Sequence, residues 1–542
     1  MQNSQLILLK TKIPLLLWII YGVVGLVMTP QYGVSWDEMA QREHGLVAFD
    51  HVVKTLAIDA ELYYPDKNQQ TTPGRNYTVL FSLTAAVVER VLGIGADDIR
   101  GQLLLRHYMV FLLFWMGIAF FYKLLKIQSA RWALWGSVAL VLSPRIFGHS
   151  FFNPKDIVLL VFYLVGAYTM VKYINRPTIR RALIHGVACG LVVNARQPGA
   201  IIFVATIFLI LLDVIQHHFD KKTIWLYAKG LPALLFTALA TAIMLFPYLW
   251  TAPLANGAES FELMAKFPWE SPVLFMGQFI NADRAPWYYI FVWIGITTPI
   301  LYLLMGILGF GRAISQQVMH LINGLFWADQ RELVTLSFLI LFVAPIVAVF
   351  VFQSTLYDGW RHLFFIYPPL LGLGVYGWDF LYRNIQTNLR KWMTAGGVIY
   401  LLFVLLSMIK IHPFEYVYFN ALAQRPLQTH YEMDYWGVSY KQAFEALVAK
   451  DRDTSLIHVN CANHPGVANY YFLPEKVRSR MRLRFGMEVA HYYLTNYRFP
   501  YELNRFLDNS YPFNRPFLEV RVYGEPINGA FRVIPRSQKP PG

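Results

Sequence analysis

The dominant pattern in this sequence is a series of long apolar runs separated by short polar segments. Runs of roughly 17 to 25 apolar residues are long enough to cross the hydrocarbon core of a bilayer as a helix. Taken between bounding charges or prolines, they predict about eleven membrane-spanning helices. These are 13–30, 102–124, 129–147, 155–174, 181–195, 199–217, 225–250, 286–310, 334–353, 362–382 and 393–411. The sequence therefore predicts an α-helical polytopic membrane protein.

Basic residues predict the orientation of these spans, because Lys and Arg concentrate in short cytoplasmic loops. When the spans alternate, the basic clusters of the connections fall on one side. They are Lys10 and Lys12; Lys123, Lys126 and Arg131; Lys172, Arg176, Arg180 and Arg181; Lys221 and Lys222; Arg312 and Arg331; and Arg383, Arg390 and Lys391. The amino terminus is therefore predicted to be cytoplasmic and the carboxyl terminus external. The first run is too long for a signal-peptide core and is expected to remain as a helix.

Two connections and the tail are predicted to form the external part of the protein. The connections are 31–100 and 251–285, and the tail is 412–542. The tail has the length of one small domain. Its predicted elements are a helix from Tyr440 to Lys450 and strands from Ser455 to Asn460 and from Leu518 to Tyr523. We therefore expect a transmembrane domain at 1–411 followed by an external α/β domain at 412–542.

Composition supports this class of protein. Of the 542 residues, 56% are hydrophobic and only 15% are charged, and the mean hydropathy is +0.38. A soluble protein of this length does not have such a composition. The predicted cytoplasmic loops account for most of the net charge of +14, so no nucleic-acid partner is expected. Cys189 lies in a predicted span and Cys461 in the external tail, so no disulfide is expected between them.

The tail also contains a basic segment in which every second residue is charged. Its members are Lys476, Arg478, Arg480, Arg482 and Arg484. In a single strand, this spacing would place all five charges on one face. Such a face can contact lipid phosphates. The favoured alternative is a solvated strand face, or one paired with acidic residues of the tail.

Asp37 and Glu38 are adjacent carboxylates that follow the first span at the predicted external surface. An ionisable pair beside a bilayer is a candidate for chemistry, because charged groups there are costly unless they have a role. The alternative is a solvated pair of loop carboxylates. The sequence pattern alone does not separate these two interpretations.

Five basic residues lie at the external ends of spans, against the general charge bias. They are Arg145, Lys155, Arg196, Arg361 and His362. Lys155 and Asp156 follow Pro154, which suits the first turn of a helix. Helix starts and guanidinium groups both favour phosphate oxygens, so convergence of these residues would create a phosphate site. Taken singly, each residue could instead extend to the lipid headgroups or be an interfacial histidine.

Several short motifs resemble a known family. They are Asp37-Glu38, Pro154-Lys155-Asp156, Arg196 to Gly199, Pro286 to Tyr289 with Thr297 to Pro299, Asp358 to His362, His412 to Asn420, and Asp434 to Gly437. In their order and predicted topology, these motifs resemble bacterial membrane glycosyltransferases of the GT-C fold. That superfamily includes the protein O-mannosyltransferases and the lipid A aminoarabinose transferase. The resemblance covers nearly the whole chain and implies that 1–411 is the catalytic domain.

The resemblance implies a polyprenyl-phosphate sugar as donor, used on the outer face of the membrane with inversion at the anomeric carbon. A carboxylate must accept the proton of the attacking hydroxyl, and Asp37 is the expected base. Glu38 is expected to orient Asp37, to bind the sugar or to help bind a metal. The departing phosphate needs positive partners. Those expected are Lys155, Arg196 and Arg361, with His362 and Arg145 behind them.

Asp156, Tyr416 and Asn420 are expected to contact the sugar or the acceptor. Asp156 is equally explained as a carboxylate favoured by the helix dipole. Tyr416 and Asn420 lie in an aromatic segment that could instead be an interfacial belt. The expected acceptor is a glycan, a lipid or a protein. The tail has no repeat resembling the β-trefoil module of eukaryotic O-mannosyltransferases, which argues against a protein acceptor.

No obligatory metal is expected. Asp37, Glu38, Asp156 and His149 are suitable ligands for a divalent cation, but their spacing forms no metal signature. A divalent metal therefore stays possible as a cofactor.

Three other functions are compatible with parts of the pattern. A transporter or flippase of a phosphorylated lipid or sugar would use the same basic cluster, although transporters place charges near the midplane and show internal repeats. A non-catalytic scaffold for envelope synthesis would not need Asp37. A ligase or polymerase for surface polysaccharide would share the fold and donor type. The expected location is the inner membrane of a bacterium.

Overall fold

The computed structural model describes residues 2–95, 97–265 and 267–535. The last seven residues of the predicted external domain, 536–542, lie outside the described residues. The helices of the membrane domain are α1 Gln2–Met28, α2 Glu38–Thr55, α3 Leu80–Val91, α4 Ile99–Gln128, α5 Ala133–Val141, α6 Pro144–Phe152, α7 Asp156–Asn175, α8 Ile179–Ala195, α9 Ile201–Gln216, α10 Lys221–Met244, α11 Pro253–Ala265, α12 Tyr289–Thr297, α13 Ile300–Ile322, α14 Gln330–Phe352, α15 Tyr367–Asn384 and α16 Arg390–Ile411.

Within the described part of the chain, seven helical segments are long and apolar enough to cross a membrane. They are Lys12–Gln31, Ile99–Gln128, Asp156–Asn175, Gln197–Gln216, Lys221–Met244, Gln330–Phe352 and Arg390–Ile411. The predicted class, an α-helical polytopic membrane protein, is confirmed. Helix α7 is buried along most of its length, whereas α1 and α16 are mostly exposed to the surroundings. Helix α7 is therefore the centre around which the others pack, and its first residues lie inside the protein.

Two of the predicted spans are wrong as single helices. The segment 129–147 is divided between α5 and α6, and the segment 286–310 is divided between α12 and α13. Each break lies before a proline, Pro144 or Pro299, which disfavours helical backbone in the preceding residue. Ser143 and Thr298 accordingly adopt extended backbone, with ψ of 100° and 137°. The predicted span 362–382 likewise begins as a 3₁₀ helix, Arg361–Ile366, before α15.

The two external connections contain regular structure. Helices α2 and α3 occupy much of 31–100, and α11 is followed in 251–285 by a hairpin of β1 Val273–Phe275 and β2 Gln278–Ile280. The hairpin is antiparallel, with Leu274 opposite Phe279. Asp37 is the residue immediately before α2. Both connections are therefore folded segments that contain helices or strands.

The tail forms the predicted α/β domain. Its elements are α17 Leu427–His430, α18 Tyr440–Lys450, β3 Ile457–Cys461, α19 His464–Phe472, α20 Glu475–Arg478, β4 Met481–Leu483, β5 Tyr492–Thr495, α21 Pro500–Leu507, β6 Pro516–Val522 and β7 Glu525–Arg532. The sheet order is β4-β3-β5-β7-β6, with β3 parallel to both neighbours and the other pairs antiparallel. Helix α18 packs Tyr440, Phe444 and Leu447 against this sheet. The predicted helix and both predicted strands are confirmed, with strand ends shifted by one or two residues.

The basic segment of the tail is not a single strand. Lys476 and Arg478 lie in the short helix α20, and Arg482 lies in β4. The helix begins directly after Pro474, whose extended backbone suits a helix start. Arg478 pairs with Glu475 one turn away. The five charges therefore do not share one face.

Candidate active site

The carboxylate of Asp37 is held at the start of α2, beside the α/β domain of the tail. The backbone N–H of Trp36 donates to the carbonyl oxygen of Trp436 at 3.0 Å, which fixes the segment before Asp37. Oδ2 of Asp37 lies 3.4 Å from Nζ of Lys155. Burial raises the pKa of the Asp37 carboxyl, but Lys155 and Arg361 together lower it below its usual value. Asp37 is therefore an ionised carboxylate at neutral pH.

Lys155 presents its ammonium group at the start of α7. The residue precedes the first helical residue, so the N–H groups of the helix start face the same region. Nζ lies 4.4 Å from the centre of the Tyr77 ring. Burial lowers the pKa of Lys155, and the neighbouring Asp37 raises it. This end of α7 therefore combines a partly buried ammonium with a helix dipole, an arrangement that favours an anion.

Asp156 connects two guanidinium groups. Its side chain is 1% exposed. Oδ1 pairs with Nη1 of Arg196, while Oδ2 accepts a hydrogen bond from Nδ2 of Asn153 at 2.9 Å and lies 3.6 Å from Nη1 of Arg361. Both carboxylate oxygens are thus engaged by neighbouring side chains. The Asp156 carboxylate thereby fixes the positions of Arg196 and Arg361.

Arg361 is packed between charges and aromatic rings. Its Nη2 lies 3.1 Å from Oδ2 of Asp358, and its guanidinium lies 4.9 Å from the Tyr357 ring and 4.7 Å from the Trp436 ring. Asp358 and Gly359 both have positive φ, 56° and 71°. Glycine tolerates this conformation at no steric cost and aspartate more readily than most residues. This turn places the Asp358 carboxylate against Arg361.

Two cavities meet at Tyr77, Lys155 and Arg196. The first, of about 850 Å³, has polar and charged side chains among the apolar ones of its wall, and we call it the polar cavity. Its side chains include Asp37, Gln41, His44, Thr78 and Ser82. The second, of about 1240 Å³, is mainly apolar and includes Ile201, Val204, Phe261, Pro345, Val349 and Phe352, with His362 at its polar end. The junction of the two cavities thus has two cationic side chains, with a carboxylate on one side and membrane helices on the other.

Glu38 lies away from the cavities although it is adjacent to Asp37. Its side chain is buried, and Oε1 accepts hydrogen bonds from the backbone N–H of Ser35 at 2.7 Å and from its hydroxyl at 3.0 Å. Oε2 lies 2.8 Å from Nε2 of His107. The glutamate therefore satisfies both the backbone N–H and the hydroxyl of a residue that precedes the helix. Glu38 therefore fixes the start of α2 and so the position of Asp37.

Arg145, Tyr416 and Asn420 are also buried away from the two cavities. Nε of Arg145 donates to the carbonyl oxygen of Tyr418 at 3.0 Å. The hydroxyl of Tyr416 donates to Oδ1 of Asp434 at 3.0 Å. Nδ2 of Asn420 donates to the carbonyl oxygens of Gly295 and Thr298 at 2.6 and 2.7 Å. The contacts of Arg145 and Asn420 attach the segment after α16 to the membrane domain, whereas the contact of Tyr416 lies within the tail.

No metal centre is evident among the described residues. In that part of the chain, no three His, Cys, Asp or Glu side chains are grouped closely enough to hold an ion. Nδ1 of His149 lies 3.1 Å from Nδ2 of Asn153. Independence from a metal stays a prediction.

The sequence analysis missed several side chains of the site. Gln41 and His44 line the polar cavity together with Asp37. Their spacing of four and seven residues places all three on one face of α2, a pattern that was available in the sequence. Tyr77 lies in a tripeptide that also matches a glycosylation sequon. Arg498, which pairs with Asp358 at 2.7 Å, comes from the external domain, and no spacing in the sequence links it to the site.

One known protein family has a profile that matches part of this chain. Residues 106–240 match the profile of the dolichyl-phosphate-mannose-protein mannosyltransferase family. The matched region contains α7 with Lys155 and Asp156, and also Arg196. The resemblance inferred from the sequence motifs is confirmed for this part of the chain. The match supports a membrane glycosyltransferase that uses a polyprenyl-phosphate donor.

Two solved structures are similar to this chain, each at 10% sequence identity. One is the crystal structure of ArnT from Cupriavidus metallidurans bound to undecaprenyl phosphate, with a TM-score of 0.45 over 95% of this chain and 97% of that chain. The other is the archaeal oligosaccharyltransferase AglB from Archaeoglobus fulgidus in complex with an inhibitory peptide and a dolichol-phosphate, with a TM-score of 0.47 over 88% of this chain and 69% of that chain. No curated protein sequence matches the chain.

Proposed function

We propose that this protein is an inverting glycosyltransferase that moves a sugar from a polyprenyl-phosphate donor to an acceptor hydroxyl. The reaction takes place at the outer face of the cytoplasmic membrane. The observation that carries this proposal is the junction of Lys155 and Arg196, which lies between a polar cavity containing Asp37 and an apolar cavity among membrane helices. A lipid-linked phosphate sugar has the same three parts in the same order.

The isoprenoid chain occupies the apolar cavity. Side chains from α9, α11 and α14 line it, and Val204 and Phe352 are 63% and 45% exposed. A cavity with these walls opens to the lipid, so a donor can enter from the bilayer. The phosphate then meets Lys155, Arg196 and His362 at the polar end. Arg361 acts on this phosphate through Asp156 and through its own charge.

In the transfer step, Asp37 accepts the proton of the acceptor hydroxyl as its oxygen attacks the anomeric carbon. The bond between that carbon and the phosphate oxygen breaks, and polyprenyl phosphate leaves as an anion. Lys155 and Arg196 are placed where this negative charge develops, so they stabilise the transition state more than the ground state. Asp156 and Glu38 hold these groups in position.

Inversion is supported by the carboxylate content of the polar cavity. Among the described residues that line it, Asp37 is the only carboxylate. A double displacement with retention normally uses one carboxylate as nucleophile and a second as acid and base, whereas a single displacement needs one base. One carboxylate therefore favours a single displacement. No metal or other cofactor is needed for these steps.

The outer location is supported by the charge distribution of the loops. The basic clusters at the opposite ends of the spans favour a cytoplasmic position for those ends, and Asp37 and the α/β domain then lie outside. A bacterial inner membrane is the proposed location. The transferred group is a hexosyl or pentosyl unit, and the acceptor hydroxyl belongs to a glycan, a lipid or a protein.

The test is transfer by the purified full chain in liposomes. Radiolabelled undecaprenyl-phosphate hexoses and pentoses are supplied one at a time, with a total membrane extract as acceptor. Label is expected to move from one donor to an acceptor. A folded protein that neither transfers nor hydrolyses any donor, but moves a phosphorylated lipid between leaflets, would instead be a flippase.

A further inference from the structure

Five buried charges of alternating sign form a chain between the external domain and the phosphate junction. Their order is Arg498, Asp358, Arg361, Asp156 and Arg196. Successive ion pairs have separations of 2.7 Å, 3.1 Å and 3.6 Å, and the last pair joins Asp156 to Arg196. Each of the five side chains is 12% exposed or less. The chain therefore links a residue of the external domain to a residue that lines both cavities.

Arg498 itself is held on several sides. Its Nη1 donates to the carbonyl oxygen of Tyr435 at 3.0 Å, and its Nη2 donates to Oδ1 of Asp358 at 2.7 Å. The rings of Trp36 and Trp269 lie 5.5 Å and 5.6 Å from the guanidinium. Trp36 precedes Asp37, and Trp269 belongs to the second external connection. Arg498 thus lies where the tail and the two connections meet.

The link between Arg361 and Asp156 is the loosest in the chain. At 3.6 Å, Nη1 of Arg361 is too far for a hydrogen bond to Asp156, and this buried nitrogen has no other hydrogen-bond partner in the described part of the protein. Arg498 occupies one oxygen of Asp358 and leaves the other to Arg361. Without Arg498, both oxygens are open to Arg361, and a two-pronged arginine–carboxylate pair is the stronger geometry. Arg361 would then turn toward Asp358 and away from Asp156.

The external domain also holds the segment that carries Asp37. Oδ1 of Asn469 accepts from the backbone N–H of Val34 at 2.8 Å, and Nδ2 of the same residue donates to the Val34 carbonyl oxygen at 2.9 Å. Gly33 is packed so closely that an added Cβ would lie 2.4 Å from Oδ1 of Asn469. The same domain therefore contacts both the carboxylate side and the cation side of the site.

We propose that Arg498 is a positioning residue for transfer. It acts through Asp358 and Arg361 on Asp156 and Arg196, so the α/β domain completes the active site. The expected effect on kcat rests on the proposed function. The relay, by which we mean the chain of ion pairs from Arg498 to Arg196, can be tested without assuming that function. A misplaced catalytic group can cost on the order of 100-fold in rate even when the substituted residue is remote.

The kinetic test compares Arg498→Gln, Arg498→Lys, Asp358→Asn and the double variant Arg498→Gln/Asp358→Asn in the full chain. Asparagine suits the positive φ at 358. Arg498→Gln is expected to lower kcat for transfer by on the order of 100-fold, and Arg498→Lys is expected to recover part of the loss. The double variant is expected to be no slower than the slower single variant, because both changes break one relay. Arg482→Gln, an exposed residue of the same domain, is the charge-matched control.

Two kinetic results would overturn the proposal. One is Arg498→Gln with wild-type kcat. The other is a double variant in which the two losses of kcat multiply, together with a fall in thermal stability that parallels each loss. This second result would indicate that Arg498 has a structural role only. If the wild type transfers nothing, the proposed function fails, and the relay is then tested by cryo-electron microscopy of Arg498→Gln. The relay predicts that Arg361 moves away from Asp156, whereas an unmoved Arg361 rejects it.

Discussion

Nζ of Lys155 lies 3.4 Å from Oδ2 of Asp37 and 4.4 Å from the centre of the Tyr77 ring. The expected base and an expected phosphate ligand are therefore direct neighbours. Of the groups that lower the pKa of Asp37, against the effect of burial, Lys155 is the strongest. Under the proposed function, this contact couples the protonation of Asp37 to the binding of the donor.

Replacing Lys155 with Gln is expected to raise the pKa of Asp37. A general base acts only when deprotonated, so transfer falls as pH falls through its pKa. The acid limb of the rate profile should therefore move to higher pH in Lys155→Gln, and KM for the donor should rise. Transfer rates between about pH 4 and pH 8 measure both effects. Lys67→Gln is the exposed control. If the acid limb does not move in Lys155→Gln, Lys155 does not lower the pKa of the group that acts as base.

Filling the apolar cavity should affect only donors with long chains. Val204 lines this cavity on α9. The variant Val204→Trp is expected to raise KM for an undecaprenyl donor and to leave a short-chain donor of the same sugar nearly unaffected. The variant Val187→Trp, on the exposed surface of α8, is the matched control. Equal effects on both donors would place the lipid chain elsewhere.

Glu38 is expected to matter for stability more than for chemistry. Its carboxylate satisfies the N–H and hydroxyl of Ser35 and contacts His107 in the interior. Glu38→Ala leaves these buried groups unpaired, which typically costs about 1–3 kcal/mol in the free energy of unfolding. Thermal unfolding measures this loss, and transfer per folded molecule should fall much less than in Asp37→Asn. If Glu38→Ala unfolds at the wild-type temperature but no longer transfers the sugar, Glu38 has a catalytic role.

The buried carboxyl of Glu432, in the α/β domain, is expected to make the stability of the folded protein depend on pH. The pKa of Glu432 is raised from 4.5 to about 8, mainly by burial and also by the neighbouring Asp358, against the opposing effect of Arg498. Between these values the native state holds a proton that the unfolded state has lost, so stability falls as pH rises from about 4.5 to about 8. Glu432→Gln cannot lose this proton and should remove the decline. Its melting temperature should exceed that of the wild type more at pH 8 than at pH 5, whereas exposed Glu475→Gln should show no such difference.

The sequence was sufficient for features that depend on local pattern. Long apolar runs predicted the membrane spans, and helical spacing predicted α18 with its observed bounds, Tyr440–Lys450. The same pattern failed at Pro144 and Pro299, because hydropathy does not register a break in backbone hydrogen bonding. In the basic tail segment, the alternation of charges likewise gives no sign of the short helix that begins after Pro474.

For the site, the sequence could identify residues near helix starts but not their long-range partners. Lys155 and Arg196 have local signals, a proline-led helix start and a helix end before Pro198. They line the cavities as a phosphate site would require. Arg145 has the same kind of signal, because it follows Pro144, yet its guanidinium bonds an interior carbonyl oxygen. Asn420, in its aromatic segment, likewise bonds interior carbonyl oxygens. Arg498 reaches Asp358 across 140 residues of sequence, and only the packing of the two domains brings them together.

In the proposed mechanism, Asp37 is the base and the neighbouring cations bind the donor phosphate. Donor binding and transfer are to be measured on the same preparation of Asp37→Asn, with Asp59→Asn as the exposed control. Donor binding is expected to stay close to that of the wild type, and transfer is expected to fall by about 10²–10⁴-fold. Wild-type transfer by Asp37→Asn would show that Asp37 is not the base.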